Sequence, residues 1–306
     1  MRARHALVAC LCLATLPAWC GPALPTPSAV LFDDFNYTSP SQLASGGWIT
    51  RSQPGHPGIE GARWGAEALS LLNDPLRPGN HILRLQASTD GTGPGTSQAQ
   101  ICHARKYLEG TYAARIRFSD TPVEGPDGDV VVQSFYTVSP LRFDFDPEFS
   151  EVDWEYLPNG GWGDSRTRLY GVTWQTVKIN PWQAFNKAHE EVRSVDGWHT
   201  LVMQIGQGRT RHYLDGVQLA EHGGRNYPVV PMSVNFNLWF VAGGELPGIT
   251  AKRTYQQDID WVLHVKDQLI PPQAMEALVE TYRANGVNAL DTVAPSAPEL
   301  ASTCDF

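Results

Sequence analysis

Alternating apolar and polar residues predict a chain built mainly from short β-strands. Strand-like runs separated by clusters of Gly, Pro, Asn and Asp recur from Thr26 to about residue 265. Short β-rich runs between turn signals are typical of a sandwich of antiparallel strands. An Asp215-Gly216 pair between Leu214 and Val217 favours a tight hairpin turn. The predicted strands cover residues 29–32, 82–86, 110–118, 129–137, 151–157, 168–174, 199–205 and 229–239.

One segment near the C-terminus has the helical period instead. Apolar residues recur four apart at Ala274, Leu278 and Tyr282, and a proline lies at the start of the segment. The pair Asn285-Gly286 follows and is typical of a helix end. The pattern predicts one short helix, from about residue 272 to residue 284.

The first 23 residues have the order of a secretory signal peptide. Arginines at the start precede an almost purely apolar run from Ala6 to Leu16, and small residues and prolines follow. That run is too short to span a bilayer, and no later stretch is long enough, so no transmembrane segment is expected. We therefore expect a secreted protein, extracellular or periplasmic. Lipid attachment at Cys20 is the alternative, disfavoured by Trp19 directly before it.

Composition indicates a folded, acidic body. The chain of 306 residues has 18% charged residues, 10 Trp and a formal net charge of −9. This charge content with many aromatics excludes bulk disorder, and the acidic balance argues against a nucleic-acid partner. No internal repeat or long linker is visible, so residues 24–286 are expected to form one domain, and residues 287–306 a loosely held tail. A monomer is expected.

Two cysteines remain after the signal region, Cys102 and Cys304. In an oxidising compartment they could form a disulfide that ties the tail to the body. The alternative, two unrelated thiols, is equally compatible with the sequence. No HExxH or CxxC pattern occurs, which argues against a zinc site, and GxSxG is absent as well.

The segment 151–156 carries the candidate chemistry. Its strict alternation places Val152, Trp154 and Tyr156 on one face of a strand and three carboxylates on the other. A solvated outer face is the simple alternative, but such faces usually carry mixed charges. Residues i and i+4 on a strand are about 13 Å apart at Cα. Two long Glu side chains leaning together can approach the ~5–5.5 Å carboxyl separation of retaining glycosidases. The three carboxylates are those of Glu151, Asp153 and Glu155.

This segment resembles the catalytic strand of the family 16 glycoside hydrolases, whose signature is Glu-x-Asp-x-Glu. Further stretches resemble the family in the same order along residues 30–266: Gly110-Thr111-Tyr112-Ala113-Ala114-Arg115, Trp198-His199-Thr200, Tyr213-Leu214-Asp215-Gly216, Asn237-Leu238-Trp239 and Ile259-Asp260-Trp261-Val262. The resemblance implies an all-β fold, a concanavalin-like β-jelly-roll sandwich of two curved antiparallel sheets. It also implies that Glu151 is the nucleophile, Asp153 an assisting residue and Glu155 the acid/base.

The resemblance further implies a polysaccharide substrate. The spacing has no inserted residue after the Asp, as in lichenases and xyloglucan or cell-wall transglycosylases, which favours β-glucan-type substrates. Trp154 and Tyr156 depart from the lichenase pattern and leave the subfamily open. Hydrolysis is the leading interpretation, and transglycosylation through the same covalent intermediate is the alternative. A carbohydrate-binding protein without turnover would be expected to have lost at least one of the carboxylates.

Sugar rings present apolar faces that stack on aromatic side chains, so exposed Trp residues near the catalytic strand are candidate substrate contacts. The candidates are Trp162, in a Gly-rich loop after that strand, together with Trp174, Trp182 and Trp239, and core packing is the alternative for each. Asn237, on the same strand face as Trp239, could hydrogen-bond a sugar hydroxyl. No cofactor is required for catalysis. The family resemblance implies a possible structural Ca²⁺ at Asp260.

Overall fold

The computed structural model describes residues 27–302 and residue 304, so the predicted signal peptide lies outside the described residues. Within them the chain forms seventeen strands, one α-helix, α1 (Met275–Ala284), and four short 3-10 helices. The strands are β1 (Val30–Asp33), β2 (Ile49–Thr50), β3 (Arg63–Trp64), β4 (Leu69–Asn73), β5 (His81–Thr89), β6 (Ser97–Cys102), β7 (Gly110–Phe118), β8 (Val131–Val138), β9 (Glu151–Leu157), β10 (Arg168–Lys178), β11 (Gln183–Glu191), β12 (Gly197–Gly206), β13 (Arg209–Leu214), β14 (Val217–Gly223), β15 (Ser233–Phe240), β16 (Arg253–Lys266) and β17 (Ala289–Asp291).

The strands form two layers of almost wholly antiparallel pairing, which confirms the predicted sandwich. The front sheet has the order β2-β6-β15-β8-β9-β10-β11. The back sheet runs β14-β13-β12-β7-β16; β5 and β1 then pair with the two halves of β16, and β4 and β17 pair with β5 and β1. The layers join where β6 meets β5 and the short parallel strand β3. The arrangement is the expected jelly roll.

The main core lies between the two sheets. From β9 in the front sheet, Val152, Trp154 and Tyr156 point inward with no exposed surface. They pack in one cluster with back-sheet residues such as Ile116 and Met203. Burial of an aromatic residue contributes several kcal/mol in such cores, on the order of 3–5 kcal/mol by truncation. This packing holds β9 in one register, so its other face can carry only the alternate residues.

The helix is confirmed close to its predicted bounds. A 3-10 turn at Pro272–Ala274 precedes α1, and the helix ends at Asn285 with Gly286 in the left-handed region at φ 70°. Its apolar face, including Leu278 and Val279, packs in a second cluster on the outer side of the back sheet. No helix among the described residues is long and apolar enough to cross a membrane.

The tail is held more firmly than expected. Residues of β17 pair with β1, and Val293 is 2% exposed. Cys304 forms a disulfide with Cys102 across 202 residues of sequence and is itself buried. Segment 287–306 is thus attached to the body at β17, at Val293 and at Cys304, and residues 294–301 between them form no helix or strand. A short strand and a single cysteine contact carry too little local signal for the sequence to predict this attachment.

Candidate active site

The three predicted catalytic carboxylates share the outer face of β9, near the middle of the front sheet. Strand β9 pairs on one side with β8 and on the other with β10. In register, Asp153 lies opposite Tyr136 of β8, and Glu151 lies opposite Trp174 of β10. Glu151 is 6% exposed and Asp153 is 3% exposed, whereas Glu155 is half-buried. The alternation of the sequence is thus reproduced, and the acidic face is largely withdrawn from water. The carboxylates of a freely solvated strand face would be exposed to water.

Burial raises the pKa of all three carboxyls, because a charged carboxylate loses hydration in this site. For Glu155, burial raises the pKa to about 7. For Glu151 and Asp153 the pKa lies well above the ordinary value, first through burial and then through repulsion from the neighbouring carboxylates. Three like charges on one strand face cannot all form at neutral pH.

Hydrogen bonds decide where the proton between Glu151 and Asp153 is held. The bond between their side chains lowers the pKa of Glu151 and raises that of Asp153. This bond therefore favours the proton on Asp153 and the charge on Glu151. The indole Nε1 of Trp174 donates to Oδ2 of Asp153 at 2.5 Å and fixes that carboxyl from the other side. Asp153 is thus a hydrogen-bond partner that orients Glu151.

Beside β9, a polar network extends across the floor of the same face. Gln100 Nε2 donates to the hydroxyl of Tyr136 at 2.8 Å, and Asn237 Nδ2 donates to the same hydroxyl at 3.1 Å. Ser134 donates to the amide oxygen of Asn237. Asn237 is 4% exposed, and each end of its amide has a protein partner. It lies on the predicted face, where it holds Tyr136 in place beside Asp153.

The predicted aromatic residues gather on this face in two groups. Trp162 is 55% exposed, and its ring centroid is 6.4 Å from that of Trp239, which is nearly buried. Trp174 is half-buried, and its ring meets that of Trp182 edge-to-face at 6.0 Å. Trp182 is 52% exposed. The face thus offers open indole surface at Trp162 and Trp182, backed by more deeply placed indoles.

Comparisons with known proteins give a match of fold. No family model matches the sequence, and no curated protein matches it either. Among solved structures, a β-glucanase of Bacillus licheniformis has a TM-score of 0.55 at 18% identity, covering 78% of this chain and 99% of its own. A family 16 enzyme of Bacteroides ovatus, in complex with a G4G4G3G product, has a TM-score of 0.56 at 16% identity, covering 76% and 98%. The κ-carrageenase of Pseudoalteromonas carrageenovora has a TM-score of 0.51 at 15% identity, covering 82% and 98%.

The chain has the fold of the family 16 glycoside hydrolases. At this level of identity, the comparison shows that this chain and the family 16 enzymes share a fold. The activity has to be argued from the chemistry of the site.

Several residues on the outer face of the front sheet escaped the sequence reasoning. Trp64 and Tyr170 are nearly buried and cluster with Trp239, and Arg51 lies over the Trp64 ring at 4.1 Å. Tyr136 lies directly opposite Asp153. Strand alternation could have marked Tyr136 as sharing a face with Ser134. Its position beside Asp153 depends on the register between β8 and β9, which sequence alone does not give.

The surroundings of Asp260 bear on the predicted Ca²⁺. Asp260 lies on β16, in the back sheet, and is 6% exposed. Its Oδ1 accepts from Arg283 Nη2 at 2.6 Å and from Asn80 Nδ2 at 2.9 Å, and Arg115 Nε lies 3.6 Å from Oδ2. Two guanidinium groups supply the positive charge that a cation would bring. The donor set therefore does not fit Ca²⁺, which is bound by oxygen ligands.

Proposed function

We propose that this protein is a retaining endo-glycoside hydrolase that cleaves a polysaccharide of the β-glucan type by double displacement. The observation that carries the proposal is the row of three carboxyls on the outer face of β9, two buried and one half-buried, with the pKa of Glu155 at about 7. A carboxyl with that pKa exchanges its proton readily near neutral pH, as a group acting first as acid and then as base must do.

In the first step, Glu155 donates its proton to the glycosidic oxygen of the substrate. The bond between that oxygen and the anomeric carbon breaks, and the departing sugar leaves as an alcohol. Glu151 attacks the same anomeric carbon and forms a covalent ester with it. The Asp153 side chain supports this division of roles, because its hydrogen bond lowers the pKa of Glu151 and orients that carboxyl.

In the second step, the deprotonated Glu155 takes a proton from water. The hydroxide so generated attacks the anomeric carbon and releases Glu151 as a carboxylate. Two inversions leave the product with the configuration of the substrate. Glu155 regains its proton, so the site returns to its starting state.

Exposed indoles on the same face support a polymeric sugar as the substrate. Trp162 and Trp182 each leave about half of their surface open on the face that carries the carboxyls. Aromatic rings bury the apolar faces of sugars while leaving the hydroxyl groups free to form hydrogen bonds. The relatives of matching fold include a β-glucanase, which supports a β-glucan as the first substrate to test.

We also propose that the protein acts outside the cytoplasm. The sequence pattern of residues 1–23 and the disulfide between Cys102 and Cys304 support export, since disulfides persist in oxidising compartments.

A substrate panel tests the proposal. Mixed-linkage β-glucan, laminarin, xyloglucan, agarose, chitin and κ-carrageenan are incubated with the protein, and chromatography separates shortened from lengthened products. Shortened β-glucan products are expected. Glu151→Gln and Glu155→Gln should each lose at least about 100-fold in rate. Glu221→Gln, the same change at an exposed ion pair of the back sheet, should retain full activity. Full activity in both active-site variants would overturn the proposal.

A further inference from the structure

The two edges of the front sheet meet above the catalytic face. His56 lies in the loop that follows β2 at one edge of the sheet, and Trp182 lies in the turn between β10 and β11 at the other edge. Their rings stack with centroids 5.7 Å apart and an interplanar angle of 28°. Strands β6, β15, β8 and β9 lie between these edges, so the contact passes over the strand that carries the carboxyls.

Arg51 fixes the loop in this position. Its Nε donates to the carbonyl of Gln53 at 2.9 Å, and its Nη2 donates to the carbonyl of His56 at 3.0 Å. Its Nη1 donates to Oε1 of Gln100 at 2.9 Å, on the floor of the same face. The guanidinium also lies over the ring of Trp64. A side chain that is only 2% exposed thus connects the loop to the floor through three hydrogen bonds and one ring contact.

These contacts and strand pairings form a closed circuit of residues that joins the loop, the floor and the turn. From Gln100 the circuit continues through the hydroxyl of Tyr136, which lies opposite Asp153 in the neighbouring strand. From Asp153 it passes to the indole of Trp174 and then to Trp182, which meets His56. The hydrogen bonds of Arg51 to the carbonyl of His56 and to Gln100 close the circuit.

The floor beneath this contact is covered. Glu151, Asp153, Gln100 and Tyr136 are each less than a tenth exposed, although they lie on the outer face of the front sheet. Cys304 adds to the enclosure, because its carbonyl accepts a hydrogen bond from Gln100 at 2.7 Å.

We propose that the His56–Trp182 contact forms a roof over the catalytic face and restricts the protein to linear, unsubstituted polysaccharide chains. This inference rests on the proposed function. A sugar held against the floor beneath the roof has no open side toward solvent at that point. A branch or a bulky substituent on that sugar therefore collides with the roof, whereas a bare chain passes beneath it. Specificity in this account comes from steric exclusion.

The test compares one backbone with and without substituents. Mixed-linkage β-glucan is assayed before and after hydroxyethylation, which adds neutral bulk and keeps the backbone. The measured quantity is the ratio of the initial rates on the unmodified and modified polymers. Trp182→Ala and His56→Ala each remove one side of the roof, and each should lower that ratio about tenfold. Trp182 is also a proposed sugar contact, so the ratio of rates, in which a loss common to both polymers cancels, is the quantity compared.

Phe185→Ala serves as the matched control. Phe185 belongs to the same hairpin and is 53% exposed, but its ring contacts Phe145 rather than His56. It should leave the ratio unchanged. Unchanged ratios in Trp182→Ala and His56→Ala, with an active parent protein, would overturn the roof alone. An equal fall in the Phe185→Ala control would also overturn it. Inactivity of the parent protein on every glycan of the panel would overturn the proposed function, and the roof with it.

Discussion

The chemistry at the residue scale depends on which of three neighbouring carboxyls keeps its proton. Glu155 is removed from water and has a pKa of about 7, so it is protonated under mildly acidic conditions and ionised above neutrality. Asp153 accepts from the Trp174 indole and is bonded to Glu151, and this bond opposes the rise in the pKa of Glu151 that burial causes. In the proposed mechanism, three successive outward positions of one strand act as acid/base (Glu155), assisting carboxyl (Asp153) and nucleophile (Glu151).

The pH dependence of activity follows from these assignments. Glu155 must be protonated for the first step, so kcat/KM should fall as the pH rises through about 7. Glu151 must be ionised, so the rate should also fall at acidic pH, with a midpoint above its ordinary value of 4.5. The measurement is a pH profile of kcat/KM on the best polysaccharide.

Glu155→Gln provides the control for the alkaline limb. With an aryl glycoside whose leaving group needs no proton, this variant should release one equivalent of phenol rapidly and then stall, because no base activates water. The rate of that burst should not change through pH 7. A burst rate that still falls as the pH rises through 7 would contradict the assignment of the pKa to Glu155.

At the element scale, α1 supplies what a bound cation would otherwise have supplied to the back sheet. Arg283, in the last turn of the helix, reaches Asp260 on β16 with its guanidinium, and it also lies 3.6 Å from Asp34. Both members of the Arg283–Asp260 pair are nearly buried. Removal of one partner from such a pair leaves an uncompensated charge.

Two consequences for stability follow. Arg283→Ala should lower the free energy of unfolding by about 3–5 kcal/mol, whereas Arg211→Ala, at an exposed pair with Glu221, should cost no more than about 1 kcal/mol. Addition of Ca²⁺ or of a chelator should leave the melting temperature of the unmodified protein unchanged. Denaturant unfolding and calorimetry measure these effects. A chelator that lowers the melting temperature would contradict the ion-pair account.

The elements differ in how far the sequence predicts them. The bounds of β7 and β9 follow from alternation in residues 110–118 and 151–157. The hairpin at Asp215-Gly216 follows from turn chemistry, since both residues adopt positive φ. Strand β11 was not predicted, because it is an exposed edge strand with little apolar content. The pairing of Asp260 with Arg283 depends on where α1 packs, which no local pattern encodes.

At the scale of the whole molecule, the disulfide joins the last described residue to the front sheet. Cys102 lies at the end of β6, and its bond to Cys304 closes a loop of 202 residues. Cross-links over long loops reduce the entropy of the unfolded chain. The same contact brings the carbonyl of Cys304 onto Gln100, so the tail contributes to the covering of the catalytic face.

Loss of this bond should destabilise the fold measurably. The double variant Cys102→Ser, Cys304→Ser should lower the free energy of unfolding by about 2–5 kcal/mol. Reductant should have a comparable effect on the parent protein and none on the variant, which serves as its control. The measurement is chemical denaturation with and without reductant. Equal stability of the parent protein and the variant would show that the tail is not held by this bond.

The overall architecture was largely predictable, whereas the contact of His56 with Trp182 across the front sheet was not. Recurring strands, few helices and ordered resemblances over residues 30–266 predicted a jelly roll, and the structure has that fold. The acidic face of β9 was predicted from alternation alone. The meeting of His56 with Trp182 joins residues far apart in sequence and depends on the curvature of the front sheet. Sequence patterns carry no information on such curvature.

The central claim, that Glu151 and Glu155 perform double displacement on a glycan, is tested most directly by the configuration of the first product. Proton NMR is recorded during rapid hydrolysis of a β-glucan oligosaccharide, before the new reducing end equilibrates. The account predicts that the β-anomer appears first and the α-anomer only later, and that Glu151→Gln yields neither. Initial appearance of the α-anomer would contradict it.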